Sequence, residues 1–149
     1  MKFIIGKSEF DKKIWNKENL VFLIETDKNI LFGGFISSKI DKIYIEKPTE
    51  YKSIRDEKAF VFTIKDNQMN KFPINIGRPS CAFCLCQQSN EKLFKFGIND
   101  ININKYNEKC CVYQDKYSSF EYENNSYSPF NLIGIDGFFP KRILVFQMN

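Results

Sequence analysis

Apolar residues in this chain gather in short runs split by polar turns, not at helical spacing. Leu20-Val21-Phe22-Leu23-Ile24 is β-branched and aromatic, closes at Thr26-Asp27-Lys28-Asn29 and is answered by Ile30-Leu31-Phe32-Gly33-Gly34-Phe35-Ile36. Two such runs about a polar turn predict an antiparallel hairpin. A further strand is expected at residues 59–64, ended by an Asp66-Asn67 turn. Phe72-Pro73-Ile74-Asn75-Ile76 then leads through Gly77 and Pro79 into Cys81-Ala82-Phe83-Cys84-Leu85-Cys86, which reads as another. After a turn signal at Gln88-Ser89-Asn90 come Leu93-Phe94-Lys95-Phe96-Gly97 and Ile101-Asn102-Ile103, the latter alternating as a half-buried strand does. Cys110-Cys111-Val112-Tyr113, a polar loop over residues 114–129 and the closing run Arg142-Ile143-Leu144-Val145-Phe146-Gln147 complete the pattern.

Helical signals are confined to the start. Ser8-Glu9-Phe10-Asp11 has the form of a capping box, and Phe10 and Ile14, four apart with Trp15 beside them, share a face. This predicts a helix over residues 8–17, too short to stand alone and so docked on a sheet. Residues 37–58 are rich in Lys, Glu, Asp and Ser, are broken by Pro48 and hold only Ile43-Tyr44-Ile45, so a surface excursion is expected there. Strands at short intervals without interleaved helices predict a mostly β (α+β) fold: two packed antiparallel sheets forming a β-sandwich with short peripheral helices. Gly33 and Gly34 inside a strand imply a bulge or a close backbone approach, and Gly97 at a strand end implies a turn with positive φ.

At 149 residues, of which 43% are hydrophobic and 16 are Phe, the chain has the bulk for one core and is read as a single domain over residues 1–149. The net charge of +4 comes almost entirely from Lys, with Arg55, Arg78 and Arg142 the only arginines, so nucleic-acid binding is not expected. Met1-Lys2-Phe3-Ile4-Ile5-Gly6 breaks at Lys7, too soon for a signal peptide, and no window is long enough to span a bilayer. Position 2 is not Gly and the fourth residue from the end is not Cys, so neither common lipid anchor is expected. The expected compartment is the cytoplasm, and Asn124-Asn125-Ser126 is read as a chance sequon. Five cysteines, an odd number, then imply reduced thiols.

The chain contains no histidine. That excludes Ser-His-Asp and Cys-His nucleophilic machinery, imidazole general bases and His-containing zinc sites. Gly33-Gly34 runs into Phe35-Ile36 and not into a phosphate loop. Cys81 and Cys84 have the spacing of half a zinc site, but on a strand they face opposite sides, so the thiols are read as core hydrophobes and no metal or cofactor is expected. Cys110 and Cys111, preceded by Lys109, are candidate redox thiols, because a nearby cation favours the thiolate. Tyr117, Phe120, Tyr122, Tyr127 and Phe130 lie in a Ser- and Asn-rich loop. They suit either an interaction surface or a plug for the sandwich.

The order of elements resembles the TLDc domain, the oxidation-resistance family. The resemblance is carried by Val21-Phe22-Leu23-Ile24 running through a turn into Phe32-Gly33-Gly34-Phe35, by Phe60-Val61-Phe62-Thr63-Ile64, by Phe94-Lys95-Phe96-Gly97 before Ile101-Asn102-Ile103, and by a last strand beginning near Phe139. It implies a non-catalytic protein-interaction domain with a role in oxidative-stress protection, whose partner in several members is the vacuolar-type proton ATPase (V-ATPase), met through its peripheral subunits. No nucleic acid and no direct membrane insertion are expected. The family's opening Asp-Gly turn is absent, and its acidic residue in the last strand is replaced by Leu144, so a role resting on that carboxylate does not carry over. A cysteine-based redox sensor and a small-molecule-binding or hydrolytic domain remain open alternatives.

Overall fold

The computed structural model describes residues 10–41, 51–86, 91–105, 108–112, 118–122, 132–134 and 137–149. A short helix, α1 (Phe10–Ile14), precedes the strands β1 (Leu20–Thr26), β2 (Leu31–Ile36), β3 (Tyr51–Ile54), β4 (Phe60–Lys65) and β5 (Gln68–Pro73). A single 3-10 turn, Pro79–Cys81, leads into β6 (Phe83–Cys86), β7 (Lys92–Phe96), β8 (Ile101–Asn104), β9 (Cys110–Val112), β10 (Gly137–Phe138) and β11 (Pro140–Gln147). They form two sheets, here A and B, of order β11-β1-β2-β4-β5 and β10-β9-β8-β7-β6-β3, with every pairing antiparallel. The mostly β, two-sheet architecture is the one the hydrophobic pattern predicts.

Local chemistry sets the turns. Thr26 Oγ1 accepts from the N–H groups of Lys28 and Ile30, at 3.2 and 3.1 Å, and Asn29 takes φ 61°, which reverses the chain between β1 and β2. Asp66 and Asn67 take φ 51° and 58° between the paired residues Lys65 and Gln68. Two positive values in a two-residue loop match the right-handed twist of a hairpin, and Asp and Asn tolerate them best after Gly.

Between the sheets lies a phenylalanine core. Phe22 of β1 has ring centroids 5.1, 5.0 and 5.4 Å from Phe83, Phe94 and Phe96 of sheet B. Phe10 stacks on Phe94 at 5.5 Å, which gives α1 its seat, and backbone bonds between Asn16, Lys17 and Ile40 tie the helix to the segment after β2. The helix ends at Ile14, short of the expected residue 17, and Ser8 of the capping box lies outside the described residues.

Several expectations are corrected. Residues 37–58 are not wholly a surface excursion, because β3 pairs with β6 and Ile40, Ile54 and Asp56 are buried. Asp56 accepts hydrogen bonds from the backbone of Ser37, Ser38 and Lys58 and from the Ser37 hydroxyl, so a polar sequence is folded inward around one carboxylate. Ile43, Tyr44 and Ile45 lie outside the described residues, as do Gln88, Ser89 and Asn90. Cys81 closes the 3-10 turn and is not on a strand. Asn102 is buried, so β8 does not present a solvated face there. β10, two residues long, gives no sequence signal.

Gly33 and Gly34 mark a close approach, since register runs unbroken through both pairings of β2. A Cβ on Gly33 would collide with the backbone oxygen of Phe22, and one on Gly34 would stand 2.5 Å from the Phe96 ring. Gly34→Ala is therefore expected to destabilise the fold by about 1–3 kcal/mol through overpacking, read from urea unfolding. Gly33→Ala is expected to cost more, because the atom it meets is backbone and cannot swing away. A cycle with Phe96→Leu should show that the Gly34→Ala loss shrinks when the ring is absent, and purely additive losses would sink this account.

Candidate functional site

Register determines which side chains leave the core. On sheet A, Arg142, Leu144 and Phe146 of β11 pair with Glu25, Leu23 and Val21 of β1, which pair in turn with Leu31, Gly33 and Phe35 of β2. Those pair with Ile64, Phe62 and Phe60 of β4, and these with Met69, Lys71 and Pro73 of β5. Residues paired directly share a face, and Phe22, Ile24, Phe32 and Val61, which alternate with this set, make the core. The outer face of sheet A is thus apolar from edge to edge, interrupted by Glu25, Arg142 and Lys71. A sheet with one wet face alternates, whereas one apolar on both faces reads as continuous runs. This explains why Leu20-Val21-Phe22-Leu23-Ile24 shows no alternation.

Exposure on this face is greatest at its edges. Leu144, Phe146 and Met148 are 36%, 47% and 55% exposed on or just beyond β11, and Met69 on β5 is 49% exposed. Phe35 stacks on Phe60 with ring centroids 5.0 Å apart, and Lys71 Nζ sits 4.8 Å from the Phe60 centroid. Glu25 accepts from Lys141 at 3.2 Å and from Arg142 at 2.8 and 3.1 Å, and these bonds hold its carboxyl below the usual range. The face is thus a hydrophobic strip with a basic end, beside an edge strand that has no second partner among the described residues.

The glycine- and phenylalanine-rich segments behave as structure. Phe32 meets Phe138 edge-on at 5.1 Å within the core, Phe96 covers Gly34, and Phe35 points outward onto Phe60. Gly97 takes φ 67° and leaves room for the Asp100 carboxylate, with which a Cβ there would collide.

Asp100 was not singled out by sequence, yet it organises the loop that carries the candidate aromatics. Only 1% exposed, it accepts from the backbone N–H groups of Ser119 and Phe120, at 3.0 and 3.2 Å, and from the Tyr122 hydroxyl at 2.9 Å. Ile98 N–H donates to Ser119 Oγ. On its other side the loop pairs with the end of β5, through the Ile74–Phe120 bridge and backbone bonds from Asn75 to Ser119 and from Glu121 to Pro73. One buried carboxylate therefore ties sheet B to a segment seated on sheet A. Phe120 is buried and Tyr122 packs on Phe72 at 5.1 Å, so neither presents the open aromatic surface that the loop composition suggested. Tyr117, Tyr127 and Phe130 lie outside the described residues.

Of the two candidate redox thiols, Cys110 is buried. Cys110 faces the core, burial pushes its thiol up to about 11, and its Sγ accepts from Asn104 N–H. A thiol so raised is protonated at neutral pH and a poor nucleophile. Its neighbour Cys111 is exposed. Among the described residues no three metal-ligating side chains gather, and no helix is long and apolar enough to cross a membrane.

Two antiparallel sheets closed on a phenylalanine core, with a two-glycine strand receiving a ring from the facing sheet, define the class as a two-sheet β-sandwich. A family model for the TLDc domain matches residues 6–143, nearly the whole chain, and the chain belongs to that family. No curated protein matches it.

Burial outweighs the hydrogen bonds at Asp100 and raises its carboxyl to about 6, from an ordinary value of 3.8. The folded chain thus holds this proton more tightly than the unfolded one. The stability it contributes is full below the unfolded value and is lost as pH rises through the folded one. Unfolding measured from pH 4 to 7 should show this group favouring the folded state at the acid end by up to about 3 kcal/mol. Asp100→Asn should flatten that contribution, and Asp100→Ala, which removes the acceptor shared by Ser119, Phe120 and Tyr122, should destabilise at every pH. A pH profile that Asp100→Asn leaves unchanged would show that burial does not raise this carboxyl.

Proposed function

We propose that this TLDc domain is a non-catalytic, cofactor-free protein-binding module of the cytoplasm. It contributes to oxidative-stress protection, and its partner is the peripheral part of the vacuolar-type proton ATPase. The observation that carries the reading is the apolar outer face of sheet A, whose exposed end is Leu144, Phe146 and Met148 beside the basic pair Lys141 and Arg142. Contiguous apolar surface with a charged rim is the anatomy of a protein interface, and an unpaired edge strand adds main-chain hydrogen bonding to it. The absence of histidine from the sequence supports the non-catalytic part. The ATPase and the stress role come from the family.

Leu144 is central to this reading. The family's acidic residue in the last strand is here replaced by an apolar side chain cross-strand from Leu23, so the strip is unbroken at that position. Affinity on this face then rests on apolar burial, with a weak dependence on salt.

The test is binding of the purified chain to immobilised peripheral subunits of the proton ATPase. The wild-type protein should bind, and Phe146→Glu and Leu144→Lys should each weaken binding at least about tenfold while unfolding free energy stays within about 0.5 kcal/mol, as befits surface positions. Binding by the wild type that both variants retain would move the interface off sheet A. A wild-type protein that does not bind would remove the ATPase from the proposal.

A further inference from the structure

The four sheet edges are not alike. On sheet B, β3 and β10 have four and two residues, too short to template another strand. On sheet A, β5 exposes Gln68, Asn70 and Lys71 and ends in Pro73. β11 is eight residues long, has no proline after Pro140 and no charge after Arg142, and turns Leu144 and Phe146 partly to solvent. Its two cations are already engaged by Glu25 of the same chain. Natural proteins blunt a long apolar edge, and β11 lacks those devices.

The direction of the free main-chain groups follows from the register. Met148 N–H donates to Asn19 O at 2.8 Å, and Thr26 N–H turns the other way, to Ile30 O at 3.0 Å. Main-chain groups alternate from side to side along a strand, so Leu144 and Phe146 bond β1 while Ile143, Val145 and Gln147 aim theirs at the open edge.

We propose that β11 pairs antiparallel with β11 of a second copy of this chain, joining two five-stranded sheets into one. For the sheets to continue, outer-face residues must meet outer-face residues, so Leu144 can oppose Arg142, Leu144 or Phe146 of the copy but not Ile143 or Val145. The register with Leu144 on the twofold axis matches residues 141–147 to themselves end to end and leaves out Pro140, which has no N–H to give. Ile143 and Val145 then exchange main-chain bonds twice by symmetry, and Lys141 faces Gln147. Arg142 faces the Phe146 ring of the copy, a favourable cation–π pairing, and no two like charges oppose each other. The strand is self-complementary in hydrogen bonding, shape of face and charge, which is what selects a second copy as its occupant. Pairing occupies the main-chain groups of β11 and sets the two outer faces side by side without covering them. It therefore does not rest on the ATPase reading and competes with it only for the edge.

The test is sedimentation equilibrium of the reduced full chain with amide hydrogen exchange read by NMR. A single strand pair is a small interface, so the mass should rise from one chain toward two at about 10–100 μM. Exchange at Ile143 and Val145 should slow at least about tenfold in the dimer, whereas Leu144 and Phe146, already bonded to β1, should change little. Leu144→Lys and Leu144→Glu should each be monomeric, because like charges then meet on the axis, and an equimolar mixture of the two should recover the dimer. Exchange in the wild type carries the test should either variant unfold. A mass of one chain up to roughly 1 mM would overturn the proposal. So would a dimer in which Ile143 and Val145 exchange no more slowly, one that both folded variants retain, or a mixture of folded variants that stays monomeric.

Discussion

The seating of the Phe96 ring on Gly34 is the contact on which the rest of the sandwich depends. It sets the distance between the sheets at their centre, where Phe22, Phe83 and Phe94 complete a cluster of rings with centroids no more than 6.2 Å apart. Aromatic pairs favour tilted and edge-on arrangements, and this cluster is largely built of them. A side chain at position 34 would push the ring away, and the packing of β1 and β6 on it would follow. On the other face of the same strand, Gly33 lets the backbone of β1 come close enough that no Cβ fits. One dipeptide thus governs strand-to-strand spacing within sheet A and sheet-to-sheet spacing across the core.

Sequence made this architecture legible because its signals are local. Continuous β-branched and aromatic runs, the Asp66-Asn67 turn and the paired glycines each report on their own neighbourhood. What stayed hidden depends on partners far along the chain. Asp56 looks like part of a charged surface stretch until Ser37 and Ser38 close on it, and Asp100 gains meaning only from donors 19 to 22 residues away. Phe120 and Tyr122 sit in a composition typical of binding loops, and long-range hydrogen bonds turn them inward. The thiols illustrate the same point: Lys109 beside Cys110 suggested activation, whereas burial in the core raises the Cys110 thiol.

Those buried carboxylates also show how a domain rich in polar connections holds its loops. Asp56 and Asp100 each accept several backbone N–H groups that have no strand partner, which satisfies donors that would otherwise be stranded in a dry setting. Removing the acceptor costs more than forming the bonds gains, since an unmet buried donor keeps its full desolvation penalty. This asymmetry explains why a lone acid in each connection suffices to define it, and why burial at Asp100 is tolerated although it raises the carboxyl.

The two outer faces give the molecule unlike surfaces on opposite sides of one core. Sheet A presents aliphatic and aromatic side chains on all five strands, so affinity there comes from area removed from water. Sheet B presents thiols, an amide and lysines, most of them buried. The faces connect through the ring cluster, because Phe83 of β6 alternates with Cys84 and lies 5.1 Å from Phe22 and 5.0 Å from Phe96, centroid to centroid. A pucker in β6 would reach Phe83 first, then Phe22, whose neighbours Val21 and Leu23 lie on the outer face of sheet A. Closely packed interiors transmit such displacements and do not absorb them. The geometry therefore gives strand β6 a short mechanical route, through two rings, to the apolar face.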